Sequence, residues 1–376
     1  MSPNPFPFRR NDWPTIGVEV EVQLVDAETM ALRDAFPLVH SALSPELQTE
    51  VKPELMTSYL EINTGVCRTV ADVEADLSRK VIAVERAAER HGVRIHWGAT
   101  HPFSPWSEQI ITDSPRYHLL VELMQETARR LVTFGLHVHI GLDTGDKAIM
   151  VCDRILRHLP AMLALTANSP FWSGRDTGLD SQRVKVMEGL PTAGLPPLMR
   201  NWSEYVWLLR QMVQTGFIRT KREIWWDVRP HAEFGTIEVR ICDMPGDLPS
   251  VLAVAALTQC LVHQLSQEID EGIYQFNCHP MMVRQNKWRA CRSGMEAELV
   301  DPYTQETKPA RAVIQALADH LQVTAKELDC SRYLDHVFQM TEEPSPAQRQ
   351  RAFLRESGNW ADVVRRSIER SRLNRD

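Results

Sequence analysis

The chain has 376 residues, 43% hydrophobic and 24% charged, with a formal net charge of −7. This balance suits a globular protein with a sizeable core and argues against bulk binding of nucleic acid or an anionic membrane. Seven scattered cysteines form no CxxC pair, which fits free thiols in a reducing cytoplasm better than a disulfide framework. The Pro-rich start lacks the apolar run of a signal peptide, and no apolar segment approaches the ~20 residues that span a bilayer. A soluble cytoplasmic protein is therefore expected.

Residues 1–14 are expected to form a flexible lead-in. Thr15–Asp26 (TIGVEVEVQLVD) alternates apolar and polar residues and predicts a half-buried strand. Glu19 and Glu21 share its polar face, their Cα atoms about 6.8 Å apart. At an effective dielectric near 20, two such carboxylates repel by about 2–3 kcal/mol. A walled site would need cations to offset that. Residues 27–50 look like a loop. Leu60–Thr64 predicts a second strand with Glu61 and Asn63 on one face. Glu54 and Glu61 would share a face on a helix but not on one uninterrupted strand. A turn around Met56–Ser58 could unite them, and the spacing leaves this open.

Thr69–His91 predicts an amphipathic helix with a stripe of Val70, Val73, Leu77, Val81 and Val84, capped by Thr69 and stopped by Gly92. Val93–Gly98 reads as a strand and Arg116–Val132 as a helix. Thr133–Asp143 (TFGLHVHIGLD) alternates again, with His137, His139 and Gly141 opposite the apolar face. Lys147–Ala167 and Trp202–Gln214 read as helices. The Gly- and Pro-rich loop between them, 168–200, is long enough to suggest a lid. Trp225 and Trp226 read as packing residues. Phe234–Asp243 (FGTIEVRICD) is a fourth alternating strand, with Thr236, Glu238, Arg240 and Cys242 on its polar face; Cys242 reads as a small filler. Pro249–Glu271 predicts a long buried helix. Helices are expected at 309–321, 325–340 and 346–372. The last of them lies in a stretch from Ser345 with eight Arg against four acidic residues, read as a solvated face.

Three distant strands thus share one design: Glu19/Glu21, His137/His139 and Glu238/Arg240, each opposite an apolar stripe. In one antiparallel sheet they would form a polar floor, with Glu54 and Glu61 as added carboxylates. Oxygen-rich sites with an occasional imidazole suit Mg²⁺ or Mn²⁺. Paired metals beside arginines are equipment for phosphoryl transfer. Neither phosphate-loop motif, GxxxxGK[ST] or GxGxxG, is present. Two other readings compete: a metal-dependent hydrolase using the HxH strand, and a non-catalytic binder of nucleotide or amino acid.

The segments GVEVEVQLVD, PELMTSYLEINTGVC, GATHPF, FGLHVHIGL, WWDVRPHAEFGTIEVRICD and NKWRACRSG resemble the bacterial type-2 glutamate–cysteine ligases. These carboxylate–amine ligases belong to the glutamine-synthetase-like superfamily. The resemblance implies an α+β fold, a curved and mainly antiparallel β-sheet with helices on its outer face. It places a catalytic domain at 15–305 and a helical C-terminal extension, packed on the same domain, at 306–376. It implies ATP-dependent joining of the γ-carboxylate of glutamate to the amine of cysteine through an acyl phosphate, with two Mg²⁺ or Mn²⁺ ions. By matching position, Glu19, His137 and Glu238 would hold one ion and Glu21, Glu54 and Glu61 the other; whether His137 or His139 touches metal stays open. Arg240, Arg229 and Glu238 would be catalytic. His139, Arg240, Arg229, Arg289 and Arg292 would bind substrate or ATP. The expected partners are amino acids and ATP, with no nucleic acid and no membrane, and the expected assembly is a homodimer.

Overall fold

The computed structural model describes residues 6–275 and 278–374. The organising strand is β1, Ile16–Asp26. Ile16, Val18, Val20, Val22 and Leu24 are buried with at most 1% exposure, and each such side chain contributes roughly 1.5–3 kcal/mol to the core. Six further strands join it: β2 (Val51–Pro53), β3 (Tyr59–Asn63), β4 (Val93–His96), β5 (Leu136–Gly141), β6 (Val228–His231) and β7 (Thr236–Val239). Every pairing in this sheet is antiparallel, in the order β6-β7-β5-β1-β3-β2. At 11 residues, β1 is long enough to pair with β5 through Ile16–Val20 and then, on the same edge, with β4 through Gln23–Asp26.

Helices pack on the apolar face. Val70–Glu89 lays its Val/Leu stripe against the sheet, and Thr69 closes it with a capping box to Asp72, an arrangement that contributes about 1 kcal/mol. Leu248–Asp270 is the central helix. Its 23 residues and mean hydropathy of 1.5 are enough, by length and composition, to cross a bilayer. This corrects the expectation that no segment reaches such a length, although 83% of that apolar stretch is buried in the fold. Ile314, Leu321, Leu334 and Val337, from the C-terminal helices, share the same core.

Other elements differ from their sequence reading for identifiable reasons. Residues 27–50 contain two six-residue helices, Phe36–Ser41 and Pro45–Glu50, the second capped by Ser44. The Arg116–Val132 helix breaks at Gln125, whose φ is +49°. The 346–372 helix is two helices, divided at the left-handed Gly358. Strand β6 is an addition to the expected strands; it tolerates Pro230 because it is an edge strand, where a missing N–H costs no ladder bond. Of the expected flexible lead-in, residues 1–5 lie outside the described residues. Residues 6–14 are docked: Phe8 packs edge-on to Trp202, and Asn11 Nδ2 donates to the carbonyls of Phe234 and Gly235.

The 168–200 segment is anchored, unlike a free lid. Asn168 N–H, the Ser169 hydroxyl and the Ser181 hydroxyl all donate to the buried carboxylate of Asp243, at 2.6–3.0 Å. The segment also contains a helix, Gln182–Met187.

Gly235 makes the β6–β7 turn at φ +67°, and a Cβ there would run into the Arg9 carbonyl. Gly235→Ala is expected to cost about 1–3 kcal/mol and to loosen the hairpin carrying Arg229 and Glu238. Chemical denaturation measures the loss; an unchanged midpoint would show that the turn relaxes freely.

Candidate functional site

The sheet register assembles the polar floor. Glu19 stands opposite His137 on β5 and Asn63 on β3, and Glu21 opposite Glu61. His139 stands opposite Glu238, and Glu238 opposite Arg229. Because side chains alternate across a strand, these in-register partners project from one face. Glu54 follows β2, and the turn at Thr57–Ser58 leads from it into β3 and Glu61.

The contacts are dense. His137 Nδ1 lies 3.2 Å from Glu19 Oε2 and 3.4 Å from Arg240 Nη1. His139 Nε2 lies 3.4 Å from Glu19 Oε1 and 3.8 Å from Glu238 Oε2, while its Nδ1 is 3.1 Å from the Thr236 hydroxyl. Arg229 grips Glu238 with two bonds, Nε at 2.8 Å and Nη2 at 3.3 Å, and Arg240 donates to the same carboxylate. Glu21 Oε2 accepts the Gly135 N–H at 2.5 Å, and Glu61 Oε1 accepts Asn63 Nδ2 at 2.8 Å.

Two sets of ligand atoms each lie within 4.8 Å of one another: those of Glu19, His137 and Glu238, and those of Glu21, Glu61 and His137. Glu54 stands outside both sets, though its charge acts on Glu61. The floor's electrostatics divide along its length. Burial pushes Glu238 up, but Arg229 and Arg240 outweigh it and hold the carboxyl well below the usual range. Glu19 is likewise held low, hydrogen bonds from His137 and His139 overcoming burial. At the other end the compensation is too weak: Arg116 acts on Glu54 and Asn63 on Glu61, and both carboxyls still move up. Burial, then Glu19, Glu54 and Glu21, push Glu61 well up; burial and Glu21 carry Glu54 to about 7. The two histidines move in opposite directions. Burial and Arg240 lower His137, whereas Glu238 and Glu19 overcome burial and raise His139.

This donor set fits divalent cations. It offers four carboxylates around a low-pKa imidazole suited to ligation, and an under-compensated acidic end that a cation would relieve. Asn63 Oδ1 is buried without a hydrogen-bond partner beside that end. Arg229 and Arg240 join the floor. Arg289 and Arg292 do not: Arg289 donates to the Glu298 carbonyl at 2.8 Å, and exposed Arg292 faces Asp176 and Asp180. Beside Glu19 and His139 opens a cavity of about 220 Å³, lined also by Arg9, Gly17, Lys52, Val66 and Phe234. Thr236, His231 and Phe234 border His139 and were not singled out from the sequence. Thr236 was legible there as a polar-face residue two before Glu238.

Fold and floor together define the class, an α+β protein with the architecture of glutamate–cysteine ligases. The structure matches that of the Francisella tularensis glutamate–cysteine ligase, solved in complex with AMP, with a TM-score of 0.72 over 96% of this chain and 90% of that one. It matches a bifunctional glutathione synthetase from Pasteurella multocida with a TM-score of 0.69 over 95% of this chain and 52% of that one. At 11% and 15% identity these likenesses concern the fold. Sequence identifies the family: residues 15–370 match the profile of glutamate-cysteine ligase family 2 (GCS2), and the chain belongs to that family. A relative from Gloeobacter violaceus, provisionally named glutamate–cysteine ligase 2, is 44% identical over 95% of this chain and 97% of its own. A Thermobifida fusca relative with the same provisional name is 41% identical over 93% and 89%.

Proposed function

We propose that this protein is an ATP-dependent carboxylate–amine ligase that joins the γ-carboxylate of glutamate to the amine of cysteine. The observation that carries this reading is the pair of acid–imidazole clusters meeting at His137 beside Arg229 and Arg240. Glu19, His137 and Glu238 would hold one divalent ion; Glu21 and Glu61, faced by Glu54, would hold the other. Bound there, Mg²⁺ or Mn²⁺ supplies charge neutralisation for triphosphate oxygens.

A γ-carboxylate oxygen of glutamate attacks the γ-phosphorus of ATP, and the bond to the departing ADP oxygen breaks. Arg240 and Arg229, fixed by Glu238, are preorganised cations for the charge on the moving phosphoryl group. His139, its pKa raised by Glu238 and Glu19 against burial and its ring oriented by Thr236, is a donor for phosphate oxygen. The cysteine nitrogen then attacks the acyl carbon, phosphate leaves, and the nitrogen sheds a proton to give the amide. The seven cysteines are free thiols, which suits a cytoplasmic setting. A dinuclear hydrolase would use both imidazoles as metal ligands; the two ligand clusters include His137 alone beside four carboxylates, which favours the ligase. An ADP-release screen with ATP, Mg²⁺, glutamate and a panel of amines tests the proposal. Release that requires both glutamate and cysteine supports it; amide hydrolysis without ATP overturns it.

The nucleoside is proposed to enter the cavity at Phe234. That ring is 53% exposed and stacked on His231 at 4.1 Å between centroids. Base–aromatic stacking contributes about 1–2 kcal/mol, so Phe234→Ala should raise the KM for ATP by about 5–30-fold with kcat nearly unchanged. Steady-state kinetics check this, and an unchanged KM would place the base elsewhere.

A further inference from the structure

Arg183 is a buried cation with one long ion pair, to Asp243, among the described residues. It lies on the Gln182–Met187 helix and is 4% exposed. Its nearest carboxylate oxygen, Asp243 Oδ1, is 3.9 Å away, and that carboxylate also accepts from Asn168, Ser169 and Ser181. Its Nε has no acceptor. Removing one partner of a buried charge pair leaves the other uncompensated, so Arg183 supports the fold through Asp243; its hydrogen bonds point to a second task.

Its hydrogen bonds go to two consecutive main-chain carbonyls. Nη2 donates to the carbonyl of Arg240 and Nη1 to that of Ile241, both at 3.2 Å. This stretch has left the β6–β7 ladder: the N–H groups of Arg240 and Ile241 both donate to the Asp227 carbonyl, at 2.8 and 3.1 Å, the geometry of a β-bulge. The Arg240–Ile241 peptides are therefore held from both sides. On the Asp227 side, buried Lys287 Nζ binds Asp227 Oδ2 at 2.6 Å and Glu188 Oε1 at 2.8 Å. Glu188 is the C-cap of the helix that carries Arg183. The guanidinium also lies against Gly135, where a Cβ would collide with Nη2. The N–H of that same glycine holds Glu21.

We propose that Arg183 is a positioning residue for Arg240: by holding the carbonyls of Arg240 and Ile241 and packing on Gly135, it fixes the strand end from which Arg240 reaches Glu238 and His137. The proposal rests on the ligase reading for the role of Arg240. It assigns the 168–200 segment a supporting function in place of a lid.

The test compares Arg183→Met, Arg183→Lys and Arg183→Ala in ADP-release kinetics, with thermal melting alongside. Arg183→Met should lower kcat by about 10–100-fold, the effect of a small misplacement of a reacting group, with the KM for ATP within about twofold and a melting temperature lowered by the loss of Asp243's counter-charge but still above the assay temperature. Arg183→Lys, able to reach only one carbonyl, should fall between. Millimolar guanidinium should restore part of the lost kcat in Arg183→Ala, which a general loss of folding would not permit. Wild-type kcat in the Met or Lys variant overturns the proposal. So does lost activity that tracks lost melting temperature and resists guanidinium. Should Arg183→Met fail to fold, the Lys variant and the rescue decide. Wild-type turnover that needs no ATP would instead overturn the ligase reading, and a kcat loss in a fully folded Arg183→Met would still stand as positioning.

Discussion

Glu21→Gln is expected to abolish ligase turnover while leaving the protein folded. Glu21 contributes no apolar area to the core; it projects from the polar face of β1, opposite Glu61. Its one strong contact, the Gly135 N–H at 2.5 Å, can be accepted by the amide oxygen of glutamine. The substitution therefore removes a charge and little else. In the absence of cations that removal relieves Glu61 and Glu54, both of which feel Glu21, so the metal-free melting temperature should hold or rise. With divalent ions the balance reverses. A carboxylate ligand becomes a neutral amide, and the floor loses a charge it needs to retain a second ion. Loss of one preorganised electrostatic contact lowers kcat by about 100–1,000-fold, and loss of an ion should cost at least as much. ADP release and thermal melting, measured on the same preparation, separate the two effects. Full activity in the variant would remove Glu21 from the machinery. A collapse in melting temperature would make it a structural residue instead.

The parts of this site that were readable in the chain are those that a strand's period of two exposes. Glu19 and Glu21, His137 and His139, Glu238 and Arg240 each stand out because the intervening residues are Val, Ile or Leu. What the alternation cannot supply is register, since it says which face a side chain takes but not which residue it meets. That Glu21 meets Glu61, that His137 comes near both clusters, and that Glu54 stops short of them are properties of pairing and turn geometry. Arg289 and Arg292 were drawn toward the site by the basic segment NKWRACRSG. On a helix that segment divides: Lys287 turns inward to Asp227, while the two arginines go to Glu298 and to the Asp176–Asp180 region. Arg183 carries no local mark at all. Its role depends on a bulge after Val239 and on the missing side chain of Gly135, neither of which has a signature in the linear order.

Divalent cations should stabilise this protein more at about pH 8 than at about pH 6. In the folded state the Glu54 carboxyl is carried up to about 7, and that of Glu61 lies well above its ordinary range, against about 4.3 in an unfolded chain. Groups raised in this way favour the fold when protonated. Their contribution is complete below the unfolded value and is lost as pH rises toward the folded one. Metal-free protein should therefore lose stability between about pH 5 and pH 8. Glu19 and Glu238 are held low, so their contribution is present throughout this window and disappears only in stronger acid. An ion held by Glu21 and Glu61 and faced by Glu54 takes the place of protons on the two raised carboxyls, which are scarcer near pH 8 than near pH 6. At a hundredfold excess over Kd, binding adds about 2.7 kcal/mol, and the gain should shrink as pH falls. Melting curves with Mg²⁺, Mn²⁺ or chelator at the two pH values read this directly. Glu54→Gln and Glu61→Gln should each flatten the pH dependence of the metal-free protein. An equal metal effect at both pH values, or none at either, would mean that these carboxylates do not hold the ion, and the acidic end of the floor would need another occupant.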